Sequence, residues 1–187
     1  ACQARAGHRR ADPAVVAFEV SMSVPRWITL GLVLACVFLM GSALYMEHIM
    51  GLEPCPLCMM QRLAVIGVGA IALLAFLHAP AGVGLRIYGA LITLAGAAGA
   101  GLAARQLWLQ SLPPDQVPAC GPGVDYMMDI LPLFDVLLWA MQGTGDCAKV
   151  DWTFLGLSIA GWTFPLFLIM AACGVYLLLA PHRQRPR

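Results

Sequence analysis

Four long stretches of this chain carry no charged side chain, and that fixes what it can fold into. Trp27 to Met46 is an uncharged run of 20 residues. Leu63 to Leu77 is 15 uncharged residues, and it reaches spanning length if residues 59–62 form its first turn. Ile87 to Ala104 gives 18 more, and Trp152 to Ala180 gives 29. An α-helix crosses the hydrocarbon core of a bilayer in about 20 apolar residues. In lipid, every backbone N–H and C=O must find its partner inside the segment, so each run reads as a helix. Of the 187 residues, 60% are hydrophobic and 11% charged, which excludes a water-soluble globular domain. The net charge is +1 and no basic stripe appears, so no nucleic-acid partner is expected.

The expected architecture is all-α: an integral membrane four-helix bundle with spans at about 27–46, 60–77, 87–104 and 157–180. Residues 22–187 then form a single membrane domain with long loops at about 47–59 and 105–156. Basic residues orient it. Arg5, Arg9, Arg10, Arg26, Arg86, Arg183, Arg185 and Arg187 fall on one side, whereas eight of the ten acidic residues fall on the other. The positive-inside rule predicts both termini in the cytoplasm and both long loops in the periplasm of a bacterium. The first apolar run is too long for a signal-peptide core and lacks a small-residue cleavage site after it, so it reads as an anchor. Met22 is a natural start, which makes residues 1–21 an extension, and Cys2 within it receives no role.

The cysteines carry the chemistry. Cys36 and Cys173 lie in apolar spans and read as small buried hydrophobes. Cys55, Cys58, Cys120 and Cys147 all fall on the outward side, and four cysteines in an oxidising compartment read as two disulfides. Cys120 and Cys147 stand 27 residues apart, and on their own they suit a loop staple. Cys55-Pro56-Leu57-Cys58 closes too small a ring to staple anything and favours redox or metal chemistry. Zinc needs four converging ligands, and one C-x-x-C knuckle does not supply them.

The flanks of the C-x-x-C point toward redox. Pro54 and Pro56 favour a fixed turn before a helix. Cys58 then lies at the helix start, where free N–H groups and the dipole stabilise a thiolate. Arg62, four residues on, shares its helix face and keeps its charge. It reads as support for a thiolate or as a ligand for the oxygen of an acceptor, against the plainer reading of a snorkelling interface arginine. In the second long loop, residues 126–141 are apolar but interrupted by Asp129, Pro132 and Asp135, as suits a segment lying along the membrane surface. The third span is rich in Gly and Ala, which lets membrane helices approach closely. No Gly-rich dinucleotide fingerprint is present, which speaks against a tightly bound flavin or nicotinamide.

Residues 47–62, Glu-His-Ile-Met-Gly-Leu-Glu-Pro-Cys-Pro-Leu-Cys-Met-Met-Gln-Arg, closely resemble the bacterial disulfide bond formation protein B (DsbB) family. Residues 118–122, 145–148 and 152–157 resemble it too, in the same order, from about Met22 to the C-terminus. The resemblance implies a membrane thiol–disulfide oxidoreductase. It would reoxidise a periplasmic DsbA-type dithiol oxidase and pass the electrons to ubiquinone or menaquinone. It further implies that the partner attacks a Cys120–Cys147 disulfide at Cys120, that Cys147 exchanges with Cys55, and that Cys58 faces the quinone beside Arg62. Some family members have a histidine near Arg105-Gln106. Here there is none, and Gln106 is carried as a weak quinone-contact candidate. Two alternatives remain at this point: an enzyme like the vitamin K epoxide reductases, whose C-x-x-C lies near the fourth span, and a non-enzymatic membrane protein with structural disulfides.

Overall fold

The computed structural model describes residues 24–121, 124–130 and 132–180. The extension over 1–21, Cys2 and the tail arginines lie outside the described residues. Among the described residues, four helices are long and apolar enough to span a membrane: α1 (Val24–His48), α2 (Pro56–His78), α3 (Val83–Gln110) and α6 (Ile159–Leu179). Between α3 and α6 come two short helices, α4 (Val124–Ile130) and α5 (Leu133–Gln142), and a 3₁₀ turn, Gly145–Ala148. A small antiparallel hairpin follows, β1 (Thr153–Phe154) with β2 (Leu157–Ser158), which the uncharged run had concealed. Its two-residue turn has positive φ at both Leu155 (51°) and Gly156 (80°), the pattern that matches the twist of paired strands.

The bundle is drawn together by small residues. A Cβ on Gly89 would stand 2.5 Å from the Leu178 backbone nitrogen, and one on Gly174 would stand 2.6 Å from that of Thr93. Backbones of α3 and α6 thus touch, and dispersion between them replaces the hydrophobic drive that lipid removes. Farther along, the Phe167 ring fills the space over Gly99. Leu32, Cys36, Val68, Ala72, Ile92, Ala103 and Leu177 complete this core. Pro165 sits inside α6, tolerated as expected of a membrane helix.

At one end of the bundle a second, smaller core forms from Leu57, Leu109 and Cys147, all with no exposed surface. It pins the 3₁₀ turn onto the start of α2 and the end of α3. Helix α3 runs past Arg105 to Gln110, so the second long loop begins later than its first charge indicates. Arg105 bends out, stacking over the Trp108 ring at 4.3 Å and donating to the Gln142 carbonyl at 3.1 Å. In α5, Val136 and Ala140 are buried, whereas Phe134, Leu138 and Met141 face outward. An outward apolar face suits a helix lying at a membrane interface.

Candidate redox site

Cys55 caps α2. Its sulfur accepts from the Cys58 N–H at 3.3 Å, and Pro56 at the first helical position gives up only an N–H that no carbonyl would have met. The cap folds the C-x-x-C so that the Cys55 and Cys58 sulfurs lie 2.9 Å apart, both as free thiols. Cys58 is then the third residue of the helix, within the turn whose N–H groups lack helical partners.

The other two cysteines arrive by way of one backbone bond. The Gly145 N–H donates to the Ala119 carbonyl at 3.2 Å, joining two distant stretches of the second long loop. A Cβ on Gly145 would be 2.4 Å from the Pro118 carbonyl oxygen, so only glycine permits this approach. Cys120 is left exposed, beside Asp146, whose carboxylate pairs with Lys149 at 2.8 Å. That lysine, and more weakly the Cys120 thiol, hold the Asp146 carboxyl below its usual range.

Cys147 turns the other way, into the bundle, where Cys55 packs against the small core that it forms with Leu57 and Leu109. The neighbouring Cys55 thiol, aided by the backbone N–H groups of Leu57 and Thr144, brings the Cys147 thiol down to about 6 against the opposing effect of burial. The neighbouring Cys147 and Cys58 sulfurs together drive the Cys55 thiol far up. As pH rises through about 6, Cys147 becomes thiolate, whereas an ordinary cysteine ionises only near 8.5. Titration of the fully reduced protein by thiolate ultraviolet absorbance should show a one-thiolate step near pH 6 that is absent from Cys147→Ser. Absence of that step from the unaltered protein would refute the assignment.

Below this cluster a cavity of about 550 Å³ opens between α1, α2 and α6. Its polar end holds Cys58, Arg62 and Gln106, and its flanks are apolar, with Leu39, Met46, Val65 and Met170. A ligand with polar oxygens at one end and an apolar body fits this division. Arg62 lies on the wall but does not bond Cys58. It pairs with Glu47 of α1 and donates to the Ala43 carbonyl at 3.3 Å. Gln106 is the residue on the thiol, with Nε2 at 3.3 Å from the Cys58 sulfur and 3.6 Å from that of Cys55. Glu47 and Gln61, both missed by sequence reasoning, belong to the same neighbourhood.

The structure therefore brings Cys55, Cys58, Cys147 and Gln106 into contact, puts Arg62 on the adjoining wall, and leaves Cys120 as the outer member. The family model for disulfide bond formation protein DsbB matches residues 25–177. Relatives named disulfide bond formation protein B include that of Marinobacter nauticus, 58% identical over 163 residues, covering 87% of this chain and 95% of the relative. That of Saccharophagus degradans is 54% identical over 141 residues, covering 75% and 85%. That of Hahella chejuensis is 47% identical over 169 residues, covering 88% and 100%. With four membrane-length helices around a cysteine cluster, the chain belongs to the DsbB family of multi-pass inner-membrane protein-disulfide oxidoreductases.

Proposed function

We propose that this protein reoxidises a periplasmic DsbA-type dithiol oxidase and hands the electron pair to a membrane quinone. The observation that carries the reading is the packing of Cys55 against the small core that contains Cys147, which joins the outer loop to a C-x-x-C on the wall of a partly apolar cavity. Charge distribution supports the orientation: basic residues gather on the sequence side opposite the cysteine loops, so both termini are cytoplasmic and the cysteines periplasmic.

The exchange runs through four sulfurs in the oxidised enzyme. A partner thiolate attacks Cys120 of a Cys120–Cys147 disulfide; the new bond forms at Cys120 and the electron pair leaves on Cys147. Cys147, favoured as thiolate, attacks Cys55 of the Cys55–Cys58 disulfide, and the pair leaves on Cys58. The partner's second thiolate then displaces Cys120 and departs oxidised. Cys120 attacks Cys147, restores the outer disulfide and releases Cys55. Cys55 and Cys58 now hold the two electrons beside the cavity, with the Gln106 amide N–H on the Cys58 sulfur.

Arg62 and Gln106 would hold the oxygens of a quinone, and Leu39, Met46, Val65 and Met170 its apolar part. When bound, a quinone supplies the acceptor for two electrons and two protons. The test is purified protein in lipid, reduced DsbA-type oxidase, and ubiquinone or menaquinone, following quinone absorbance. Quinone-dependent oxidation is expected, and Arg62→Ala should slow it about a hundredfold, the scale on which loss of one donor at a developing oxyanion is felt. Normal turnover in Cys58→Ser would sink the reading.

A further inference from the structure

Three polar side chains, two buried and one half-buried, one from each of three helices, form a chain that ends on Cys58. The Thr163 hydroxyl of α6 donates to Gln61 Oε1 at 2.8 Å. Gln61 Nε2 of α2 donates to Gln106 Oε1 at 2.7 Å. Gln106 Nε2 of α3 faces the Cys58 sulfur at 3.3 Å. Gln61 and Gln106 are only 6% and 4% exposed. In a bundle core an amide left unpaired costs about 1–3 kcal/mol, so such side chains are held by their partners.

The order of atoms matters. An amide has one end that donates and one that accepts. The Gln61 donor occupies the Gln106 oxygen, which turns the Gln106 N–H₂ toward sulfur. Thr163 in turn occupies the Gln61 oxygen, which turns its N–H₂ toward Gln106. The hydroxyl has a second acceptor, the Ala160 carbonyl, but at 3.2 Å it is the longer contact. The chain therefore presents a donor to Cys58 at 3.3 Å, shorter than the opposite contact from the Cys58 sulfur to Gln106 Oε1 at 3.7 Å, and so favours a thiolate over a thiol.

We propose that Gln61 and Thr163 are positioning residues that aim the Gln106 amide at Cys58 and so set how readily Cys58 carries negative charge. The proposal rests on the reading above that Cys58 acts as a thiolate, and it adds two residues of the cavity lining that act on the sulfur through Gln106.

The experiment uses the full-length reduced protein in lipid without quinone, pulsed with iodoacetamide across a pH series, with alkylation of each cysteine read by mass spectrometry. In Gln61→Met, of similar length but with no polar atoms, Cys58 labelling at neutral pH should fall about tenfold, as fits one lost buried hydrogen bond, and its pH profile should move to the alkaline side. Thr163→Val should give a smaller fall, and Thr163→Ser, which keeps the hydroxyl, should restore the unaltered profile. The Cys147 thiolate step near pH 6 and the labelling of half-buried Cys173 report on general loosening and should not move. Unchanged Cys58 labelling in Gln61→Met, or equal changes at Cys147 and Cys173, would overturn the relay. Quinone-dependent turnover of the unaltered protein is a separate arm, and its failure would overturn the acceptor reading while leaving the relay intact.

Discussion

Replacing Cys147 by serine should reduce oxidation of a protein dithiol by about a thousandfold or more, the scale on which loss of a nucleophile is felt. Cys147 is the one sulfur that meets the inner pair from the second loop, so no parallel route relieves its loss. The substitution should leave the fold in place, since serine is close in size, although a hydroxyl now sits in the small core with Leu57 and Leu109. A second readout separates chemistry from folding. The Cys55 thiol is pushed up first by Cys147, so in Cys147→Ser it should ionise more easily and alkylate faster at neutral pH. Retained turnover, or slower Cys55 alkylation, would contradict the relay of sulfurs drawn above.

Gly145→Val should follow, with an effect of about a hundredfold on oxidation of the partner, because misplacing a reacting group by about 1 Å costs that much. The new side chain would meet backbone atoms, the Pro118 carbonyl at 2.4 Å and the Cys120 nitrogen at 3.2 Å, and backbone cannot rotate away as a side chain can. The Gly145–Ala119 hydrogen bond would break and Cys120 would swing from Cys147. Peptide mapping of the air-oxidised protein should show the Cys120–Cys147 disulfide depleted and the Cys55–Cys58 disulfide retained. Gly145→Ala should fall between. Full activity in the valine variant would mean that the two stretches of the loop are not held together as described.

The spans were legible in the sequence because lipid imposes one rule on every backbone group within it, and uncharged length alone reveals where that rule applies. The C-x-x-C at the start of α2 was legible for a local reason: two prolines and a cap are properties of adjacent residues. Long-range polar contacts were not. Arg62 was read against Cys58 because the two share a helix face, yet its guanidinium crosses to Glu47 on α1. Arg105 was read as the end of a span, but a long side chain can leave the helix axis and stack on Trp108 while the backbone continues.

Gln106, carried only as a weak quinone-contact candidate on the resemblance, illustrates a signal that was present in the helix pattern itself. The buried face of α3 runs through Gly89, Ile92, Gly96, Gly99, Ala103 and then Gln106 at helical spacing. Gln61 likewise interrupts a buried row from Leu57 to Val65, Val68 and Ala72. Two amides on two buried faces announce that they meet each other, since neither can be left unpaired in lipid. Which of them touches sulfur depends on how the helices are rotated, and that is fixed by the glycine contacts between α3 and α6, not by any local pattern.

The unequal burial of Cys120 and Cys147 has a directional consequence. A thiol from outside must approach a disulfide along its S–S axis. Of the two sulfurs in a Cys120–Cys147 bond, only the exposed Cys120 offers that line of approach, because Cys147 has no surface open to solvent. The leaving sulfur is thereby chosen before any redox potential is consulted, and it is released already facing the inner pair. On the proposed relay the arrangement would act as a rectifier: shape alone would set the sense in which an electron pair enters.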